Sequence, residues 1–312
     1  MTTSTSAVTI AASPVAWGVD FADAPTNPPW EQVLDDIASS GVGALELGPV
    51  GYLPEDPDTL RHVLTSRSLA SVGSFMFDDL HDPAERDRLC ALAERVGTFI
   101  AAAGAKSGGG VFVIIDKPDA VRVATAGRSG VAPRLDDARW SQMVERFDEI
   151  ATIARRHGTR PVAHPHAGGY VEFADEIERL VADTDLDLCL DTGHLAYAGI
   201  DPAAAIRRHG DRLGHVHFKD IRPEVLARVD AEDLTFWEAI EAGIFCPLGE
   251  GVVDVGEVSA ALDAVGYTGY ATIEQDRVGG TGAPLDDLLR SVAVIDAARS
   301  NRQPTRRSDD GC

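Results

Sequence analysis

The sequence is poor in cysteine and has no paired cysteine motif. Its four cysteines (Cys90, Cys189, Cys246 and Cys312) are scattered over 312 residues without a CxxC pair. This usage is not that of a disulfide framework, so we expect reduced thiols, with those in apolar runs packed as small core residues.

Long hydrophobic runs are also missing. No apolar stretch approaches the ~20 residues that a membrane helix needs. The opening "MTTSTSAVTIAAS" lacks the basic start and the long apolar centre of a secretory signal. The sequence therefore predicts a cytoplasmic protein with no membrane partner.

Positive charge is scarce. Lysine and arginine total 28 against 50 aspartates and glutamates, which gives a formal net charge of −22. Proteins that bind nucleic acid present basic patches to the phosphate backbone, so this balance argues against a nucleic-acid partner. Neither GxGxxG nor GxxxxGK[ST] follows the first predicted strand, so the sequence has neither the usual dinucleotide-binding motif nor the P-loop motif.

Short apolar runs alternate with helical patterns eight times along the chain. Parallel strands need such crossover connections, and eight strand–helix units of this total length favour a closed (β/α)8 barrel over a doubly wound open sheet. We expect a single α/β domain over residues 14–299, preceded by a flexible segment, 1–13, and followed by a disordered tail, 300–312. The predicted strands are Val15–Asp20, Gly43–Gly48, Ala70–Phe77, Val111–Ile115, Pro161–His164, Leu186–Asp191, Gly214–Lys219 and Tyr270–Glu274.

Two predicted strands are followed by unusually long connections, Asp116–Asp137 and Ile221–Gly251. In a barrel both would overhang the C-terminal face, where catalytic loops gather. The second contains Phe236 and Trp237, which either seal a pocket or form a subunit contact. The sequence therefore allows either a homo-oligomer or a heteromeric complex and does not choose between them.

The last four predicted strands finish on side chains that bind metals. In a barrel these strand ends converge on one mouth. Two imidazoles and two carboxylates suit a borderline divalent cation, with Mn²⁺ or Co²⁺ favoured and Fe²⁺, Zn²⁺ and Mg²⁺ as alternatives. The predicted ligands are His164, Asp191, His217 and Glu274.

Each of these residues also has a purely structural interpretation. Asp191 would cap the turn at Gly193, and His215 would be a hydrogen-bonded core histidine. Four successive strands ending in this way are better explained by one shared site than by four separate loop anchors.

Five segments in this order resemble the xylose-isomerase-like barrels, and most closely their inosose dehydratase branch. The segments are "HPHAGGYVE", "LCLDTGHLAYAGIDP", "GHVHFKDIRPEVLARV", "FCPLGEGVVD" and "GYTGYATIEQD". The resemblance implies that Asp191, His217 and Glu274 bind metal and that His194 contacts substrate. His164 stands where other branches of the superfamily place a glutamate ligand.

The resemblance implies a metal-dependent carbon–oxygen lyase that acts on a cyclic keto-polyol in inositol catabolism, through a metal-stabilised enolate. We expect His194 or His166 to remove the α-proton, because imidazole titrates near neutrality. Lys219 would orient the substrate or assist the departing hydroxyl. Glu46 would bind substrate hydroxyls or act only as a buried ion-pair partner.

Trp17 and Phe75 form an apolar wall for a sugar ring or belong to the core. Three reactions remain open for a keto-inositol or keto-sugar substrate. They are loss of water, β-elimination of an aglycone from a 3-keto-glycoside, as in deglycosidase subunits among the relatives, and isomerisation or 3-epimerisation. Loss of water is the preferred prediction.

Overall fold

The computed structural model describes residues 8–104 and 110–300 of the chain. Its strands are β1 (Thr9–Ala12), β2 (Ala44–Glu46), β3 (Ala70–Asp78), β4 (Val111–Asp116), β5 (Arg160–Ala163), β6 (Asp187–Asp191), β7 (Leu213–Phe218), β8 (Asp220–Ile221), β9 (Phe245–Cys246) and β10 (Tyr270–Ile273). Within the described part of the chain, eight of them close a parallel barrel in the order β1-β10-β7-β6-β5-β4-β3-β2. Strands β8 and β9 form a separate antiparallel pair.

Helices connect successive barrel strands. They are α1 (Trp30–Ser39), α2 (Pro57–Thr65), α3 (Arg86–Ala102), α4 (Ala120–Val123), α5 (Asp137–Arg156), α6 (Ala174–Asp183), α7 (Thr192–Tyr197), α8 (Pro202–His209), α9 (Pro223–Ala231), α10 (Phe236–Glu241), α11 (Val255–Ala264) and α12 (Pro284–Ser300). The predicted (β/α)8 barrel is confirmed. Among residues 8–104 and 110–300, no helix combines the length and the apolar character needed to cross a bilayer.

The first barrel strand lies earlier than predicted, so the expected strand at Val15–Asp20 is wrong. The true first strand, β1, pairs with β10 over all four of its residues and with β2 at Ala12. A single 3-10 turn, Pro14–Trp17, follows it. Pro14 lacks the N–H that a strand ladder requires, and Ser13 caps the turn by accepting from Val15 N.

The predicted domain limits change accordingly. Residues 9–12 of the expected flexible segment 1–13 belong to the barrel wall, and Ser300 ends α12 rather than opening a tail. The rest of these two predicted segments, residues 1–7 and 301–312, lies outside the described residues.

Helix α5 shows how local sequence builds the outer layer. Asp136 caps its first turn by accepting from Arg139 N. Met143, Phe147 and Ile150 recur at helical spacing, and all three are buried in the main core. This periodicity turns one face of α5 toward the barrel wall.

The long connection after β7 builds a cover over the C-terminal face. It contains β8, α9, α10 and β9, and it is held by its own apolar cluster, which includes Ile221, Val225 and Phe245. Asp220 fixes the far end of this cover, because its buried carboxylate accepts from the backbone N–H groups of Gly249, Gly251 and Val253. The predicted overhang at Ile221–Gly251 thus corresponds to a packed subdomain.

Candidate active site

A cavity opens at the C-terminal face of the barrel, beneath the cover. Its polar lining includes five of the side chains predicted from the strand ends. They are His164, His166, His217, Lys219 and Glu274. His194, from the helix after β6, lines it as well.

Asp191 and His217 are direct neighbours across the β6–β7 pair. The two oxygens of Asp191 have different partners. Oδ1 accepts from the N–H groups of Gly193 and His194 and so caps α7. Oδ2 lies 3.6 Å from His217 Nδ1. The capping role and the predicted ligand role of Asp191 are therefore compatible, because they use different atoms.

The predicted metal ligands converge on the Oδ2 side of Asp191. His217 Nδ1 lies 3.2 Å from Glu274 Oε2, and His164 Nε2 lies 4.0 Å from Asp191 Oδ2. His164, Asp191 and His217 each offer a donor atom, and these three atoms lie within 4.8 Å of one another. All four predicted ligands are buried.

The donor atoms of this group fit a divalent cation. In the described part of the chain, Asp191 Oδ2 and His217 Nδ1 are buried without a hydrogen-bond partner. Buried polar atoms are normally paired, so unpaired atoms at a converging set of ligands indicate a missing partner. Mixed imidazole and carboxylate ligation matches borderline cations better than Ca²⁺.

Lys219 lies beside the ligand group, and its ammonium bridges three carboxylates. Nζ is 2.9 Å from Asp276 Oδ1, 3.2 Å from Asp191 Oδ2 and 3.3 Å from Glu274 Oε2. Burial alone would lower the pKa of Lys219, but these carboxylates hold it well above its ordinary value. A Cβ at Gly193 would come within 2.6 Å of Lys219 Cγ, which explains the glycine at this position.

The peptide groups of Ala167 contact both candidate base histidines. His166 Nδ1 lies 2.9 Å from the Ala167 carbonyl oxygen, which can only accept, so this nitrogen carries the proton. The Ala167 N–H donates to His194 Nδ1 at 3.3 Å, so that nitrogen carries the lone pair. His194 Nε2 faces Lys219 Nζ at 3.1 Å. The neutral His194 ring then carries its proton on Nε2, so of the two candidate bases it is His166 that has a lone pair on Nε2.

Both imidazoles are neutral at neutral pH. Burial, reinforced by the charge on Lys219, lowers the pKa of His166 to about 4. Burial, with His166 and Lys219 adding to it, holds the pKa of His194 well below its ordinary value. A neutral imidazole is the form that accepts a proton.

The three predicted substrate contacts fall in different places. Phe75 lines the cavity. Glu46 lies deeper inside the barrel, where its carboxylate contacts His215 and His217. Trp17 lies to the side, and its indole N–H donates to Asp36 on α1 at 3.0 Å.

Two acidic residues of the cavity were not predicted. Burial, with Asp276 adding to it, raises the pKa of Asp20 to about 8. Burial raises the pKa of Asp276 to about 6, although Lys219 opposes the shift. Signals for both exist in the sequence, because Asp20 closes the segment predicted as the first strand, and Asp276 lies two residues beyond Glu274, on the same side of an extended chain.

Aromatic and aliphatic side chains form the other side of the cavity. They are Val15, Phe75, Phe77, Ile115, Phe236, Trp237 and Ile240. Phe236 is buried, with its ring centroid 5.5 Å from that of His166, so it seals the pocket from above. Trp237 remains 36% exposed at the mouth.

The fold agrees with the comparison of this chain with known proteins. Residues 34–297 match the family described as xylose isomerase-like TIM barrel. This chain belongs to the xylose isomerase-like TIM barrel family. It is 28% identical to the inosose dehydratase of Lacticaseibacillus casei over 291 residues, which cover 91% of this chain and 95% of the relative.

Two further comparisons cover a similar share of this chain. The inosose dehydratase of Geobacillus thermodenitrificans is 28% identical over 295 residues, which cover 92% of this chain and 96% of the relative. A crystal structure described as the probable 3-DHS dehydratase AsbF of Bacillus anthracis superposes with a TM-score of 0.71. It covers 95% of this chain and 100% of its own, at 16% identity, and so supports the fold. The resemblance predicted from the five segments is confirmed.

Proposed function

We propose that this protein is a metal-dependent dehydratase that removes water from a cyclic keto-polyol of the inosose type. The observation that carries the proposal is the convergence of His164, Asp191, His217 and Glu274 beside a neutral histidine that has a free lone pair. The similarity to curated inosose dehydratases over more than nine tenths of the chain supports the carbon–oxygen lyase class.

The four convergent ligands would hold a divalent cation, which supplies Lewis-acid polarisation of the substrate carbonyl when bound. Lys219 holds Asp191 and Glu274 on one side of this group through its ammonium. The aromatic side of the cavity, with Phe75 and Phe236, covers the carbon face of the ring and excludes water.

His166 is the base of the proposed reaction. Its Nδ1–H donates to the Ala167 carbonyl, so Nε2 is the acceptor atom of this cavity-lining ring. It takes the proton from the carbon next to the carbonyl, and the electrons of that C–H bond form the new double bond. A positioned base contributes roughly 10²–10⁴-fold to the rate.

Asp20 is the acid of the proposed reaction. It lines the cavity, and its pKa of about 8 keeps it protonated at neutral pH. It protonates the β-hydroxyl as the C–O bond breaks, and one water leaves. The proton gained by His166 and the proton lost by Asp20 balance, so the site returns to its starting state through exchange with solvent.

The experiment is direct. The purified protein is loaded with Mn²⁺ or Co²⁺, incubated with scyllo-inosose, and followed by absorbance and by mass spectrometry. We expect an enone or dione chromophore together with the loss of one water. A substrate that returns unchanged in mass but with altered stereochemistry would instead identify a 3-epimerase or isomerase.

The aromatic wall favours a second candidate function, β-elimination of an aglycone from a 3-keto-glycoside. Phe77, Phe236 and Trp237 present ring surfaces to the cavity. A polyhydroxylated ring uses little of such a surface, whereas an aryl leaving group would stack on it. The same base chemistry then releases a phenol or an alcohol in place of water.

A nitrophenyl 3-keto-glucoside distinguishes the two functions by its coloured leaving group. Trp237→Ala removes part of the exposed wall, and we expect it to raise KM for this substrate roughly tenfold, the equivalent of about 1.4 kcal/mol of lost contact. Val252→Ala, which truncates another exposed apolar side chain of the cover, is the matched control. Equal effects of the two variants would remove the support that the wall gives to aglycone elimination.

A further inference from the structure

The carboxylate of Glu46 is enclosed within the barrel, below the cavity. Its side chain is 0% exposed, and its Oε1 lies 2.8 Å from His215 Nε2 and 3.0 Å from His217 Nε2. Among residues 8–104 and 110–300, these two imidazoles are the groups that pair with its carboxylate. Oε1 of Glu46 is therefore paired with histidines, and Glu46 is not among the residues that line the cavity.

An ionised carboxylate accepts hydrogen bonds and cannot donate them. Oε1 of Glu46 lies within hydrogen-bond distance of two ring nitrogens at once, which is the arrangement of a carboxylate oxygen that accepts two N–H hydrogen bonds. The two Nε2 atoms that face Oε1 must then both carry protons. For His217 this places a proton on Nε2 and leaves Nδ1 as the ring atom that can ligate.

The other edge of His217 points to the ligand group. Nδ1 lies 3.2 Å from Glu274 Oε2 and 3.6 Å from Asp191 Oδ2, and in the described chain it has no hydrogen-bond partner. The His217 ring thus contacts the Glu46 carboxylate with Nε2 and faces the candidate metal ligands with Nδ1. Strand β7 allows this arrangement because His215 and His217, two residues apart, face the same side.

We infer that Glu46 is a positioning residue that fixes the tautomer and the ring orientation of His217, so that Nδ1 is presented to the cation. This inference rests on the proposed metal-dependent function. It replaces the substrate-binding role expected for Glu46 from the sequence. Carboxylates that accept the second ring N–H of a metal-binding histidine typically contribute 10–100-fold to metal affinity.

The tautomer is tested first, on the wild-type protein loaded with Zn²⁺, which is diamagnetic. Long-range proton–nitrogen NMR spectra, assigned by comparison with His217→Asn, report which ring nitrogen carries the proton. We expect a protonated Nε2 and a metal-bound Nδ1. A protonated Nδ1 would overturn the inference without the use of any Glu46 variant.

Metal affinity is tested next, by calorimetric titration with Mn²⁺ and by the absorption spectrum of bound Co²⁺. Glu46→Met removes the acceptor, and we expect Kd for Mn²⁺ to rise 10–100-fold and the Co²⁺ spectrum to change. Glu46→Gln keeps a carbonyl acceptor and should recover most of the affinity. Thr272→Val is the matched control, because it removes the Thr272 contact with His215, 3.1 Å long, and leaves the bond from Glu46 to His217 intact.

The outcomes separate the two claims. A wild-type protein that binds one Mn²⁺ per chain, with unchanged affinity in both Glu46 variants, overturns the positioning role and leaves the proposed function standing. A wild-type protein that binds no divalent cation overturns both. Two cations per chain, with the second lost in Glu46→Gln, would show that Glu46, His215 and His217 ligate a metal themselves, which also overturns the inference.

Discussion

His166 and His194 lie with their ring centroids 4.0 Å apart, yet the same residue, Ala167, accepts a hydrogen bond from His166 and donates one to His194. The pair is therefore asymmetric. His166 lines the cavity and has its lone pair on Nε2, whereas the lone pair of His194 lies on Nδ1 and accepts from the Ala167 N–H, with Lys219 next to its other edge. Sequence spacing left these two histidines as equal candidates for the base, and the backbone of one residue distinguishes them.

The first prediction concerns this pair. His166→Gln should lower kcat on scyllo-inosose by about 10²–10⁴-fold, because the α-proton loses its acceptor. His194→Gln is the matched control and should have a smaller effect on kcat. Both are measured as water loss by mass spectrometry at saturating Mn²⁺. The reverse order of the two effects would assign the base to His194.

The second prediction concerns the metal ligands. Glu274→Gln should weaken Mn²⁺ binding by at least an order of magnitude, because an anionic ligand becomes neutral and the remaining donors include two neutral imidazoles. Asp276→Asn changes a carboxylate two residues away that contacts Lys219, and it should retain Mn²⁺. Metal content after dialysis and calorimetry provide the measurement. Equal loss in both variants would mean that the general charge of the site holds the cation.

The third prediction tests the proposed acid. Asp20→Asn should lower kcat by about 10²–10⁴-fold, because the departing hydroxyl is no longer protonated. Asp23→Asn changes an exposed carboxylate of the same loop and should leave the rate unchanged. KM should change little in either variant if Asp20 acts in the chemical step. A kcat of wild-type size in Asp20→Asn would exclude this residue as the donor.

The fourth prediction concerns stability and pH. A buried cluster joins the connection after β4 to that after β5, with Arg122 Nη2 lying 3.2 Å from Glu172 Oε2. Burial raises the pKa of Glu172 from its ordinary 4.5 to about 7. The folded state therefore binds the proton of the Glu172 carboxyl more tightly than the unfolded state does. The contribution of this proton to folding stability is complete below pH 4.5 and is lost as the pH rises through about 7.

The magnitude at Glu172 is about 3 kcal/mol, from about 1.4 kcal/mol per pKa unit. Glu172→Gln mimics the protonated side chain and lacks this dependence. We measure the free energy of unfolding by urea at several pH values. Between pH 5 and pH 8, this free energy should rise for Glu172→Gln relative to the wild type by about 3 kcal/mol. Parallel pH profiles for the two proteins would contradict the prediction.

Local sequence determined the order of the elements and which side chains meet as candidate ligands. The alternation of strands and helices predicted the eight-stranded barrel. All barrel strands point the same way, so side chains at their C-terminal ends meet at one mouth. The side chains predicted to meet there are His164, Asp191, His217 and Glu274. The limits of β1 were predicted wrongly, since a four-residue strand followed by Pro14 resembles a loop in sequence while the apolar run after it resembles a strand.

Tertiary structure decided what each side chain contacts. Trp17 lies next to Asp36 and Glu46 lies inside the barrel, because the twist and stagger of the closed sheet, rather than sequence spacing, set the depth of each position. The tautomer of His166 depends on the carbonyl of the next residue, Ala167. The tautomer of His217 depends on Glu46, which lies on a different strand. Such pairings join residues as far apart as Glu46 and His217, and only the folded chain brings them within hydrogen-bond distance.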